Sequence, residues 1–135
     1  MSLLKIRNAL ETAVNGMSPA LETALENMAF KPTSGTAYQA LNILPSTPVN
    51  NEFGNGHREE GIFQITLMYP LQNGAADALA RAELIRTIFK RGATFTKDTV
   101  TVTVSNTPEI APGAVEGDRY ALPVKVRVFS NISSP

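Results

Sequence analysis

Two adjoining stretches decide the fold: REEGIFQITLMYP, residues 58–70, and, one residue on, QNGAADALARAELIRTIFKRG, residues 72–92. In the first, Phe63, Ile65, Leu67 and Tyr69 fall on one face of a strand, and Ile62, Gln64, Thr66 and Met68 on the other. That is period 2, and Pro70 ends it. The second has helical spacing. Ala75, Ala78, Leu79, Ala82, Ile85 and Phe89 form the stripe expected to be buried. Asp77 in the first turn and Lys90 and Arg91 in the last match the helix dipole, and Gly92 supplies the stop. The alanines permit a close approach to a sheet. Leu84 and Ile88 lie off the stripe, so contact from a second side is expected.

Upstream, residues 2–15 read as a helix. Leu3, Ile6, Leu10, Ala13 and Val14 share a face, Ser2 caps the start and Gly16 stops it. Residues 18–32 are ambiguous. Ala, Leu and Glu favour helix, with Ser18-Pro19 as cap and first position, yet a strand fits from about Glu22 to Phe30. Lys31–Gly35 is a turn cluster. Thr36–Leu44 alternates as a strand with apolar residues on both faces, which suggests cover on both sides. From Pro45 to Arg58 the chain becomes a long polar loop, rich in Asn, Pro and Gly. Loops of this length tend to be functional or disordered, so residues 46–58 are expected to be poorly ordered before assembly.

Downstream, residues 93–105 suggest a hairpin turning at Lys97-Asp98. Asn106–Asp118 is polar and rich in Pro and Gly. The last strand, residues 119–129, directs Tyr120, Leu122, Val124, Val126 and Val128 to the core and Arg119, Lys125 and Arg127 outward. Pro123 within it marks an edge or a bulge. With no alternating β-α-β pattern, the class is α+β: one domain over residues 1–135, a mainly antiparallel sheet with two helices packed on it.

Composition narrows the function. The chain of 135 residues is 43% hydrophobic and 18% charged, with a formal net charge of +0. A charge-poor surface fits one partly covered by partners. A domain that binds nucleic acid through phosphates usually carries a basic excess, and the total shows none. With no cysteine, disulfides, thiolate metal sites and cysteine nucleophiles are impossible. The first residues do not resemble a signal peptide, and no run approaches the ~18 apolar residues of a membrane span. A soluble protein made in the cytoplasm is expected.

The candidate chemistry is thin. His57 is the single histidine, and acid–base work would require a partner and a pocket. Glu59 and Glu60 are adjacent, so in a strand they point to opposite faces and cannot pair with each other. The glycines before His57 lack phosphate-loop spacing, and a strand rather than a helix follows them. Arg81, Arg86, Lys90 and Arg91 are spread around a helix and read as a solvated face. No residue is assigned as catalytic, cofactor-binding or metal-ligating.

ENMAFKP (residues 26–32), REEGIFQITLMYP (58–70), the helix ending in IFKRG (88–92) and APGAVEGDRYALPVKVRV (111–128) occur in this order and spacing. Together they resemble a family of small bacteriophage proteins similar to the tail terminators of long-tailed phages, the minor tail protein U type of lambda. The resemblance spans nearly the whole chain. It implies a sheet carrying two helices, with ENMAF as strand. It implies a hexameric ring on the last ring of the tail tube, ending tube growth and offering a surface to the head. The implied partners are copies of the chain itself, the tail tube protein and head–tail connector proteins, with no membrane and no specific nucleic acid. Carried over, Phe63, Tyr120 and Val124 look like core, and Arg58, Glu59 and Glu60 like the sheet margin. Two rivals are another phage neck or tail-completion protein and a small-molecule enzyme using His57 with a distant carboxylate.

Overall fold

The computed structural model describes residues 2–18, 20–26, 28–31, 33, 35–50, 56–71, 74–97 and 99–132. Its elements are helices α1 (Ser2–Asn15) and α2 (Gly74–Ile88) and strands β1 (Glu22–Leu25), β2 (Tyr38–Pro45), β3 (His57–Pro70), β4 (Thr94–Lys97), β5 (Val100–Val104), β6 (Glu109–Ile110), β7 (Ala114–Glu116) and β8 (Arg119–Ile132). The sheet runs β1-β2-β3-β8-β5-β4, with β6 and β7 also paired to β8. Only the β1–β2 pair is parallel. The α+β class read from the alternating strands and two helices is the observed one.

β3 and β8 form the spine, paired from His57↔Ile132 to Pro70↔Arg119. Their alternation sorts side chains as the period predicts. Phe63, Ile65 and Leu67 face the core with Leu122, Val124 and Val126, and all are essentially buried. Both helices cover this one face. Ile6, Leu10 and Val14 of α1 and Ala78, Ala82 and Ile85 of α2, with Phe89 just beyond it, join the same cluster. The Phe89 ring sits between Phe63 and Phe95, its centroid 6.2 and 4.9 Å from theirs. The sheet curls around this layer. Asn15 at the end of α1 meets Thr23 of β1, while Thr12 accepts from Lys97 of β4, so α1 reaches both sheet edges.

Several expectations are corrected. The ambiguous stretch is strand, but at Glu22–Leu25; Glu26 and Met28–Phe30 of the ENMAF stretch are not strand. Asn27 lies outside the described residues. Helical propensity there is a few tenths of a kcal/mol per residue and yields to four residues of pairing with β2. β2 is not covered on both sides, since Leu44 is 50% exposed. The long loop is shorter than read. Ser46 N–H donates to Glu60 O, Val49 and Arg58 exchange backbone bonds, and β3 starts at His57. The expected poor order of residues 46–58 falls partly on 51–55, which lie outside the described residues. Lys97 pairs with Val100, so Lys97 belongs to the strand rather than the turn; Asp98 lies outside the described residues, and Thr99 has φ 70°.

The stretch Asn106–Asp118 holds β6 and β7, strands too short for periodicity to show. Between them Ala111–Gly113 stand opposite Leu122 and Pro123, one residue too many. Pro123 therefore faces a bulge, in the middle of the sheet rather than at its edge. Its carbonyl accepts from Ala111 on that side, so its missing N–H falls where the ladder is already interrupted.

Candidate functional site

His57 opens β3 and is not a solvated loop residue. Its Nε2 lies 3.0 Å from Glu59 Oε1, with 23% of the imidazole side chain and 14% of the carboxylate side chain exposed. Residues i and i+2 of a strand share a face, so the strand itself builds this pair. Glu60 points the other way as expected, with its Oε1 3.6 Å from Arg58 Nε. Arg58 also lies over the Phe129 ring at 3.8 Å. A carboxylate that orients an imidazole is half of an acid–base device; the other half is a space for substrate. The cavity beside Glu59 holds about 10 Å³ and is lined by apolar groups such as Leu3, Ile6 and Ile43. That is room for about one water molecule at most, and His57 does not line it. The enzyme reading required a pocket with His57 at its base.

Two larger clefts lie elsewhere. One, about 310 Å³, is lined by Tyr69, Asp77, Ala80, Arg81 and Leu84. Arg81 is 4% exposed, which corrects its assignment to a solvated helix face. Burial holds its guanidinium below the usual arginine range, partly offset by Tyr69. Burial likewise raises the Tyr69 phenol; Arg81 opposes this and Asp77 adds to it. Tyr69, Arg81 and Asp77 give this cleft a polar rim. The other cleft, about 300 Å³, lies between Ala9, Thr12 and Ala13 of α1 and the β4 edge. Among the described residues no group of three His, Asp or Glu side chains is placed to hold a metal ion. No described helix is long and apolar enough to cross a membrane.

The remaining charged residue that departs from its reading is Arg119. It is on the sheet face opposite the helices, as alternation requires, yet only 6% exposed. The segment linking β1 to β2 covers it. Its guanidinium donates to Thr33 O at 2.8 Å and to Thr36 O, and stacks 4.8 Å over Tyr38. Phe30 packs on the other part of Tyr38, with centroids 5.1 Å apart. Of the α2 stripe, Ala78, Ala82, Ile85 and Phe89 are buried, whereas Ala75 and Leu79 are exposed. Leu84 and Ile88 are half-buried against the same core cluster rather than contacted from a second side of the subunit. Arg86 Nε donates to Pro108 O at 2.9 Å, and Lys90 and Arg91 lie past the helix end. The carried-over core positions Phe63 and Val124 are buried, Tyr120 partly so.

Comparison with known proteins adds what the geometry lacks. A family model described as phage tail terminator protein matches residues 5–128. A solved structure superimposes with a TM-score of 0.79 at 20% identity, covering 100% of this chain and 99% of the other. At that identity it speaks for the fold alone. No curated protein matches.

Proposed function

The chain belongs to the phage tail terminator family, and on that premise we propose that it caps the tail tube, ends tube growth and forms part of the surface that joins the head. Members of this family are structural proteins of phage tails. In this reading the chain is made in the host cytoplasm and remains monomeric until it meets the tube. It then closes as a hexameric ring on the last tube ring, with the tail tube protein beneath and head–tail connector proteins above. The observation that carries the reading is the reach of the family match, residues 5–128, across every strand and both helices. The His57–Glu59 pair beside a cavity of about 10 Å³ supports a binding rather than a catalytic role.

Electron microscopy of particles lacking the protein tests this. Overlong tails without heads are the expected result. Tails of normal length without heads would assign the chain to the neck instead and overturn the capping role.

A further inference from the structure

α2 buries one side and leaves on the other a Leu79 and several alanines interspersed with Glu83, Arg86 and Thr87. Ala78, Ala82 and Ile85 are buried. Ala75, Ala76, Leu79 and Ala80 are exposed on the other side, Leu79 at 43%, and Leu71 just before the helix at 45%. The sheet has the converse gap. Among the described residues, its face opposite the helices is covered at the Tyr38–Arg119 end. Beyond that, Leu44, Ile62 and Arg127 form one cross-strand row, with Leu44 half exposed. A helix lacking a sheet and a sheet lacking a helix are complementary surfaces of the same chain.

We infer that the outward side of α2 packs on the open sheet face of a second copy, with Leu79 on Ile62 and Glu83 against Arg127. The spacings agree. Leu79 and Glu83 are four apart on a helix, about 6 Å between their β-carbons. Ile62 and Arg127 are directly paired, about 5 Å apart. Glu83 and Arg127 are both exposed, and neither forms an ion pair within the subunit among the described residues. The alanines beside Leu79 allow the helix backbone to approach the sheet closely.

The sheet edges argue against joining copies by extending the sheet. Where β2 runs past β1, Ile43 N–H already donates to Glu26 Oε1 at 2.6 Å, and Pro45 has no N–H to offer. β4 is four residues long and ends in Lys97. Both are devices that blunt an edge. The two proposed faces lie on opposite sides of the subunit, so the contact is heterologous. It repeats from copy to copy and closes when the rotation does. This inference deepens the capping reading, since a cap made of several copies requires such a contact.

The chain has no cysteine, so Glu83→Cys and Arg127→Cys each introduce a single thiol. Within one chain the two positions lie on opposite sides of the sheet, beyond the ~7 Å that a disulfide spans. The two variants are mixed at about 0.5 mM, where even millimolar affinity fills the contact appreciably, and mildly oxidised. Mixed dimers are expected, with none from either variant alone, and a ladder from the double variant. Glu83→Arg or Arg127→Glu should each weaken association roughly three- to tenfold, and the two together should restore it. Absence of mixed dimers overturns the inference. So do dimers from a single variant alone, which mean two-fold packing, and so does failure of the paired reversal to restore association. Loss of tube-protein binding in Leu79→Glu, with no contact between copies, would give the face to the tube and overturn it as well. Overlong tails in the absence of the protein, combined with no cross-link, would sink this contact and leave the capping role standing. Tails of normal length with the cross-link present would do the reverse.

Discussion

Arg119 is the side chain whose removal should most change how the chain is held together. It ties β8 to the segment between β1 and β2 through the carbonyls of Thr33 and Thr36, and it covers Tyr38. In Arg119→Met the aliphatic bulk stays and the two charge-assisted bonds go. Each such bond contributes about 1.5–3 kcal/mol, and the stacking on Tyr38 about 0.5–2. Against this stands the guanidinium's desolvation, several kcal/mol at 6% exposure, which the variant no longer bears. The freed carbonyls are near the surface and turn to water. The net expected loss is about 2–4 kcal/mol, or roughly 6–16 °C in Tm for a domain of this size. Arg119→Lys keeps the charge but cannot fork to two carbonyls, so it should fall between Met and wild type. Thermal unfolding gives the magnitude. Hydrogen exchange gives the location: protection should fall at Thr36 and in β1, while β3 stays protected. Unchanged stability in Arg119→Met, or exchange that rises uniformly across β3 and β8, would show that the segment is held by something else.

Phe89→Ala should cost about 3–5 kcal/mol, because the ring is fully buried between Phe63 and Phe95; urea unfolding measures it. Gly113→Ala would place a β-carbon 2.1 Å from the Tyr120 hydroxyl oxygen, so the ring must move; a loss of about 1–3 kcal/mol with a changed near-ultraviolet tyrosine signal is expected, and Tyr120→Ala in the same background should relieve the clash. His57→Ala should leave assembly intact and lower stability by about 1 kcal/mol or less, since its contact with Glu59 is a partly exposed pair on the strand surface; loss of phage viability with an unchanged fold would give His57 a role beyond structure. The isolated protein, with net charge +0, should not shift duplex DNA at low micromolar concentration in ~0.15 M salt.

Alternation along β3 and β8 was legible because period 2 fixes which side chains share a face, and it stated the face of Arg119 correctly. It could not state what lies over that face. The covering segment has no periodicity of its own, and its contacts with Arg119 span more than 80 residues. β6 and β7 were hidden for a related reason. They are strands only because β8 offers partners, and two or three residues carry no pattern. The His57–Glu59 pair was within reach: extending the strand back past Arg58 puts both on one side by the i, i+2 rule. The Asn- and Gly-rich composition before it stopped the strand too early. Arg81 departs for another reason, because it lies at the margin of the buried arc of α2, where a long side chain can lie along the core.

α2 was misread in the more instructive way. Ala75 and Leu79 joined the expected buried stripe because alanines and leucines occur on both sides of the helix, and 3.6 spacing then fails to choose between them. Within one subunit, Ala78, Ala82, Ile85 and Phe89 win because they are centred on the arc facing Phe63 and Val126. Selection for a stable monomer alone gives no reason to keep Leu79 rather than a lysine or glutamate on the exposed side. A residue that the pattern calls buried, and that the isolated subunit leaves 43% exposed, is what a chain shows when part of its burial occurs between copies. The proposed capping role would favour that economy: the apolar area left open around Leu79 is small, alanine-rich and flanked by Asp77 and Glu83. On the proposed reading, such a face would be too weak to assemble alone and sufficient once a tube end held several copies side by side.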